Sequence, residues 1–139
     1  MGAIIRPIEK KDMFALACLA DDEWEPKLTA LAPSFVKCDG NIERCYVAED
    51  SGELLGFIYG FVLPNGLLIP EMLYVRSENR KTGIGTQLLK YLERESGCSS
   101  SQIFYHSSLH DYYAKRGYIY GENLETAMKD LTSTEEIEP

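Results

Sequence analysis

The sequence lacks the patterns that mark several common classes of protein. It has four cysteines, Cys18, Cys38, Cys45 and Cys98, but no C-x-x-C pair, so it signals neither a zinc site nor a redox motif. No apolar run approaches the length of a membrane span, and the N-terminus lacks the apolar region of a signal peptide. We therefore expect a cytoplasmic protein with reduced, mostly structural thiols, no metal and no membrane partner.

Positive charge is also scarce. Fourteen Lys and Arg residues against 22 Asp and Glu residues give a formal net charge of -8. A nucleic-acid-binding domain should carry a basic face, so this charge argues against a nucleic-acid partner while it is compatible with a cationic substrate. The chain has 139 residues, 45% of them apolar, without repeats or linkers. We expect one domain at 1–131 and a flexible acidic tail at 132–139.

Hydrophobic periodicity and turn residues predict an α/β fold. The order is a first strand, two early helices, an antiparallel meander, and then strand-helix-strand-helix-strand. Asp12 is the predicted N-cap of the first helix, and the second helix is expected between Pro26 and Pro33. The meander includes a bulge near Gly60 and a hairpin at Asn65-Gly66. These elements predict a mixed, mostly antiparallel central sheet flanked by helices, with a later parallel crossover.

The segment "NRKTGIGTQLL", from Asn79 to Leu89, opens a predicted helix that ends at Gly97 and has Glu93 on its outward face. A helix N-terminus leaves backbone N–H groups unpaired, and glycines let an anion approach them. Arg80 and Lys81 would add positive charge. The spacing fits neither a P-loop nor the dinucleotide fingerprint, whose third glycine is replaced by Leu88. A glycine-rich turn without a ligand is the alternative.

Two motifs together resemble those of the GNAT superfamily of N-acetyltransferases. "VRSENRKTGIGTQLL" is similar to its acyl-coenzyme A signature, with Val75, Arg80, Gly83 and Gly85 in the fixed positions. "YYAKRGY", Tyr112 to Tyr118, resembles the second signature and follows at the expected separation. The resemblance covers nearly the whole chain. It implies a GNAT fold with a splayed strand pair at the cofactor site, and acetyl-coenzyme A as co-substrate.

The resemblance implies which residues hold the cofactor. The loop amides would bind the coenzyme A diphosphate, Thr86 would add a hydroxyl, and the backbone of Leu73 and Val75 would pair with the pantetheine arm. Ser107 stands where family members often carry Asn, which makes its contact shorter in reach, and His110 and Ser77 also depart from the family pattern. The implied cofactor-binding residues are Leu73, Val75, Arg80, Lys81, Thr82, Gly83, Ile84, Gly85, Thr86 and Ser107.

Two residues are candidates for catalysis. Tyr113 matches the family tyrosine that reaches the thioester sulfur, where a leaving thiolate needs a proton or a hydrogen bond. Glu71 lies four residues before Val75, so in a regular strand the two share a face, and a carboxylate there often serves this family as general base. Binding of the substrate ammonium, or a bulge that turns Glu71 away, are the alternatives. His106 and His110 fit solvent-facing residues better than a metal pair.

The function implied is direct transfer of an acetyl group from acetyl-coenzyme A to a primary amine, for which we expect a small cationic acceptor. "EMLYV" loosely resembles a strand of some aminoglycoside 6'-N-acetyltransferases, and the acidic cluster Asp21–Glu25 either lines the acceptor entrance or is a solvated face. A non-catalytic acyl-coenzyme A sensor, and acetylation of a protein lysine or N-terminus, stay open. A homodimer also stays open.

Overall fold

The computed structural model describes residues 2–19, 43–104, 110–120 and 126–131. The predicted helix between Pro26 and Pro33, the acidic cluster Asp21–Glu25 and the tail at 132–139 lie outside these residues. The described strands and helices are β1 (Ile4–Pro7), α1 (Met13–Leu19), β2 (Glu43–Asp50), β3 (Glu53–Val62), β4 (Leu67–Val75), α2 (Ile84–Ser96), β5 (Ser100–Phe104), α3 (His110–Ala114), β6 (Ile119–Tyr120) and β7 (Thr126–Asp130).

The described strands form one seven-stranded sheet in the order β1-β2-β3-β4-β5-β7-β6. Neighbouring strands are antiparallel, except for β4 and β5, which run parallel. A parallel pair needs a crossover connection, and α2 supplies it. The α/β class and the mixed, mostly antiparallel sheet are therefore confirmed.

Tight turns set the register of the meander. Ser51 and Gly52 join β2 to β3 as a two-residue turn. Their φ angles are 55° and 85°, and positive φ angles at both positions give the turn the twist of the flanking strands. At the next hairpin, the Gly66 N–H donates to the Leu63 carbonyl at 3.0 Å, and the Leu63 N–H donates to the Leu67 carbonyl at 2.9 Å. The hairpin predicted at Asn65-Gly66 is therefore confirmed.

Helix α2 covers one face of the sheet with an apolar stripe. The buried side chains on that stripe are Ile84, Leu88, Leu89 and Leu92. They pack in one cluster with Ile58 and Leu68 of the sheet. Full burial of each such side chain stabilises the fold by roughly 1.5–3 kcal/mol. The helix ends at Gly97, whose φ of 67° is the left-handed conformation expected of a helix stop.

Asp12 is not the N-cap that the sequence predicted. It lies at the end of a 3-10 turn, Lys10–Asp12, whose N-cap is Glu9. The carboxylate of Asp12 accepts the Glu9 N–H at 2.7 Å and two guanidinium N–H groups of Arg6, each at 2.8 Å. Arg6 also donates to Glu49 at 2.6 Å. The prediction was wrong because a bidentate partner from β1 fixes this carboxylate, which is only 4% exposed.

We expect Asp12→Asn to lower the free energy of unfolding by about 1.5–3 kcal/mol at neutral pH, because hydrogen bonds to a charged group are lost from a buried position. Arg6 holds the pKa of Asp12 below its usual range. The stabilisation is therefore present above the unfolded-state pKa of about 3.9 and is lost as the pH falls further. Urea unfolding of both proteins at pH 7 and at low pH measures this difference.

Glu9→Gln is the matched control for the Asp12 variant. The Glu9 carboxylate is 3.5 Å from Arg6 and its side chain is 55% exposed, so we expect a loss below about 1 kcal/mol. Equal stability of Asp12→Asn and wild type at pH 7 would show that the Arg6 contact does not stabilise the fold.

Candidate active site

The site begins where β4 separates from β5. In the described part of the chain, their parallel pairing covers only Leu67 with Ser100 and Leu68 with Ser101. Farther along β4, Pro70 pairs with Gly60 of β3, and Met72 pairs with Tyr59, which directly precedes Gly60 in the sequence. Glu71 is therefore the extra residue of a β-bulge, a feature that bends the bulged strand. The bulge predicted near Gly60 is confirmed, with its extra residue on β4.

The backbone of Leu73 and Val75 forms an open edge beside this gap. The Arg76 N–H donates to the Leu55 carbonyl on β3 at 2.8 Å. Because the hydrogen-bonding direction alternates along an antiparallel strand, Leu73 and Val75 direct their N–H and C=O groups away from β3. The Arg80 Nε donates to the Val75 carbonyl at 2.8 Å, which agrees with that direction.

A cleft with a cavity volume of about 30 Å³ lies between the separated strands. Both predicted catalytic residues line it. Its lining residues are Ile58, Pro70, Glu71, Met72, Leu73, Leu89, Ile103 and Tyr113. The bulge therefore does not remove Glu71 from the site. Glu71 is exposed, whereas Tyr113 is only 5% exposed, so the cleft has an open acidic side and a buried phenolic side.

Two aromatic rings pack against Tyr113 and hold it in place. Its ring packs edge-on against Tyr112 at 5.0 Å and against Tyr118 at 5.8 Å between centroids. The Tyr118 N–H also donates to the Tyr113 carbonyl at 3.2 Å. Burial, with a smaller contribution from Tyr112, raises the pKa of Tyr113 to about 12 against the opposing effect of Arg116. The Tyr113 hydroxyl is therefore protonated at neutral pH and can act as a donor.

A buried polar network anchors Tyr118. Its hydroxyl donates to Glu93 Oε2 at 2.8 Å and lies 2.9 Å from Ser101 Oγ. Lys129 Nζ donates to Glu93 Oε1 at 2.9 Å. Burial is the main cause that raises the pKa of Tyr118, and the negative charge of Glu93 raises it further. The prediction that Glu93 lies on the outward face of α2 was wrong. Its carboxylate is only 9% exposed, and the hydrogen bond from Lys129 links α2 to β7.

The glycine loop ends in an uncapped helix N-terminus. Gly83 is the N-cap of α2 with φ 91° and no side-chain cap, and its carbonyl accepts the first helical hydrogen bond from Gln87 at 3.0 Å. The first-turn N–H groups therefore have no intrahelical partner. A Cβ placed on Gly83 would meet no atom within 4 Å, whereas one on Gly85 would lie 2.8 Å from the Tyr112 hydroxyl. Gly83 faces open space, and Gly85 permits close packing.

The other predicted loop residues differ in exposure. Arg80, Lys81 and Thr82 are exposed, while the Ile84 side chain is buried in the core, so only its backbone is available. Thr86 is also buried, and its Oγ1 accepts from Arg116 Nε at 2.9 Å. The predicted hydroxyl contact of Thr86 with a phosphate stays a prediction and shares the oxygen with Arg116.

Ser107 and His106 lie outside the described residues, and of His110 only its place at the start of α3 is described. Arg116 was not predicted to be a site residue, although it lies inside the second motif. In the described part of the chain its guanidinium donates hydrogen bonds to Thr86.

The family model for the GNAT acetyltransferase domain matches residues 41–120, which contain the glycine loop, the cleft and Tyr113. The chain belongs to the GNAT acetyltransferase family. The motif resemblance found in the sequence is thereby confirmed, and the domain is an acetyltransferase domain. Among curated proteins, no sequence matches the chain significantly.

Solved GNAT structures share the fold at low sequence identity. PaiA N-acetyltransferase from Thermoplasma acidophilum, in complex with coenzyme A, is 19% identical over 94% of this chain and 99% of that one, with a TM-score of 0.76. An aminoglycoside 6'-N-acetyltransferase complexed with coenzyme A is 19% identical over 96% and 99%, with a TM-score of 0.73. The Escherichia coli acetyltransferase YhbS, in complex with coenzyme A, is 17% identical over 94% of this chain and 82% of that one, with a TM-score of 0.73. These similarities confirm the GNAT fold.

The described part of this GNAT domain forms neither a helical membrane span nor a cluster of metal ligands. Its helices include none that is long and apolar enough to span a membrane. Within residues 2–19, 43–104, 110–120 and 126–131, no group of three or more His, Cys, Asp or Glu side chains could hold a metal ion.

Proposed function

We propose that this protein transfers the acetyl group of acetyl-coenzyme A directly to a primary amine, and that the acceptor is a small cationic amine. One observation carries the proposal. Glu71 and Tyr113, an exposed carboxylate and a buried neutral phenol, line the same cleft at the gap between β4 and β5. Membership of the GNAT acetyltransferase family supports the reaction class.

The residues around the gap fit coenzyme A. The uncapped first turn of α2 and the open space at Gly83 suit a diphosphate, because backbone N–H groups and the helix dipole favour an anion there. Exposed Arg80 and Lys81 add positive charge. The open edge at Leu73 and Val75 suits the amides of a pantetheine arm, which can add to a strand edge. Coenzyme A would present the acetyl group as a thioester.

Acetyl transfer needs two proton-handling groups in the protein. The reaction forms an amide N–C bond and breaks a thioester C–S bond. The ammonium nitrogen loses one proton before it attacks and a second as the amide forms, and the leaving thiolate needs a donor and takes up one of the two. A lysine-like ammonium has a pKa of about 10.4, so its free amine at pH 7 is disfavoured by about 4.6 kcal/mol. Glu71 would accept that proton, directly or through water, and the Tyr113 hydroxyl would donate to the sulfur.

A substitution at Gly83 tests whether the diphosphate of acetyl-coenzyme A binds at the start of α2. Gly83→Asp would put a carboxylate into the open space at the helix N-terminus, where it would exclude and repel a diphosphate. We expect acetyl-coenzyme A affinity, measured by calorimetry, to fall at least about tenfold, which is 1.4 kcal/mol. Gly85→Asp is less informative, because its side chain would collide with Tyr112 and disturb the fold.

Gly52→Asp is the matched control for this variant. Gly52 also has a positive φ, 85°, and open space around its Cα, but it lies in the β2–β3 turn, so it reproduces the backbone strain and the added charge. We expect its affinity for acetyl-coenzyme A to equal that of the wild type. Unchanged affinity in a folded Gly83→Asp variant would overturn the assignment of the loop.

Tyr113→Phe tests the role of the phenol. We expect kcat to fall by roughly 10²–10⁴, with little change in KM for acetyl-coenzyme A, because only the donor to the leaving group is removed. Because the pKa of Tyr113 is raised to about 12, its protonation should impose no loss of wild-type kcat up to about pH 10.

Tyr91→Phe removes a hydroxyl from a half-buried ring of α2 that packs against Tyr46 and does not line the cleft, and it should keep wild-type kcat. The comparison needs steady-state rates over the full pH range, with coenzyme A release as the readout. A Tyr113→Phe enzyme with wild-type kcat at every pH would rule out a catalytic hydroxyl.

The acceptor class is tested through Glu71 and ionic strength. If the exposed carboxylate attracts a cation, kcat/KM for a polyamine should fall as salt rises, while an amine without further charges shows little change. Glu71→Gln should lower kcat/KM for both amines if Glu71 is the base, and for the polyamine above all if it is an anchor.

Glu53→Gln is the control for the loss of one carboxylate. Glu53 is 70% exposed and pairs with Arg76 away from the cleft. Salt-independent kinetics together with a fully active Glu71→Gln enzyme would refute a cationic acceptor held by Glu71. Faster acetylation of a lysine-rich peptide than of any small amine would assign a protein acceptor instead, and binding of acetyl-coenzyme A without turnover would indicate a sensor.

A further inference from the structure

Arg116 bridges the second sequence motif to the start of α2. Its Nε donates to Thr86 Oγ1 at 2.9 Å, and its Nη2 donates to the same oxygen. Its Nη1 donates to the Tyr112 carbonyl at 2.6 Å. One guanidinium thus joins two segments that are 30 residues apart in the sequence, one containing the glycine loop and the other Tyr113.

The same guanidinium stacks on the Tyr112 ring, with 3.5 Å between Arg116 Cζ and the ring centroid. The ring in turn places its hydroxyl against Gly85, where a Cβ would approach it to 2.8 Å. This hydroxyl is buried, and Thr86 and Arg116 lie close enough to it to oppose the rise in its pKa that burial causes. Arg116, Tyr112 and Gly85 therefore form a packed column at the helix N-terminus, and Tyr113 packs directly on Tyr112.

The positive charge of Arg116 lies next to the N-terminus of α2, where it is electrostatically unfavourable when no anion is bound. Thr86 is the third residue of the helix, and the first turn contains no acidic residue. A helix N-terminus carries partial positive charge, so a cation bound there is disfavoured unless an anion lies close by. An anion on the glycine loop would therefore stabilise the contact between Arg116 and Thr86.

We propose that Arg116 is a positioning residue that couples diphosphate binding at the start of α2 to the placement of the Tyr113 hydroxyl. The proposal rests on the function proposed above. Arg116 holds the backbone of Tyr112 through its Nη1 donor and the ring of Tyr112 through stacking, and so fixes the residue that precedes Tyr113. Its effect on the reaction passes through Tyr113, not through contact with the reacting atoms.

Arg116→Lys is the main test variant, because it keeps the charge but cannot bridge two acceptors and stack at the same time. We expect kcat at saturating acetyl-coenzyme A to fall about tenfold. Thr86→Val removes the acceptor without changing the shape of the side chain and should give a similar loss. The double variant should be no slower than Arg116→Lys alone, since Thr86 is proposed to act through its contact with Arg116.

The decisive measurement repeats Arg116→Lys in a Tyr113→Phe enzyme. If Arg116 acts through Tyr113, kcat should not fall further, whereas a general loss of stability or of cofactor affinity would multiply with the Tyr113 effect. Multiplicative losses, or wild-type kcat in both Arg116→Lys and Thr86→Val, would overturn the proposal. A Tyr113→Phe enzyme that is itself fully active would refute the proposed role of Tyr113, a distinguishable failure.

Arg94→Lys is the matched control. Arg94 lies on the same helix, stacks over Tyr91 at 5.1 Å, and has a 67% exposed side chain. It removes an arginine–tyrosine stack without touching the helix N-terminus, and we expect wild-type kcat. Thermal unfolding with and without coenzyme A checks that each variant folds, and Thr86→Val keeps the test valid if Arg116→Lys does not fold.

Discussion

Among the described residues, the parallel pairing of β4 with β5 stops after two residue pairs, and a strand edge opens inside the sheet. Backbone N–H and C=O groups are costly to leave without partners, so such an edge needs other hydrogen bonds. The Val75 carbonyl finds one in the Arg80 side chain. The remaining features of the site depend on this gap, because it exposes backbone to an extended ligand and admits side chains from both strands.

The bulge at Glu71 makes the gap compatible with a packed core. Before it, Leu68 packs with the α2 side of the sheet, and regular alternation would direct Met72 to that side as well. After the extra residue, Leu73 and Val75 pack with the buried cluster that contains Leu88 of α2, and Met72 and Tyr74 pack with a second cluster that contains Leu16 of α1. One inserted residue therefore exchanges the two faces of β4 and leaves Glu71 exposed at the cleft.

Local patterns predicted much of this architecture, and distant partners explain what they missed. The hairpins, the bulge near Gly60 and the stop at Gly97 follow from turn residues and periodicity, which act over a few positions. Asp12 and Glu93 were assigned wrongly because their partners, Arg6, Lys129 and Tyr118, come from other elements. In the candidate site, the motifs located Tyr113 and the glycine loop. Arg116 was not predicted because its acceptor, Thr86, is fixed only by the fold.

Environment gives the two sides of the cleft different chemistry. Burial raises the pKa of Tyr113 to about 12, whereas an ordinary thiol has a pKa of about 8.5. Complete proton transfer from this phenol to a thiolate would then be uphill, by roughly 5 kcal/mol. In the proposed reaction, a hydrogen bond from Tyr113 to the developing thiolate is therefore favoured over full protonation. Such a bond depends on the donor's position more than on its acidity, so the packing of Tyr112, Tyr118 and Arg116 around Tyr113 bears directly on the rate.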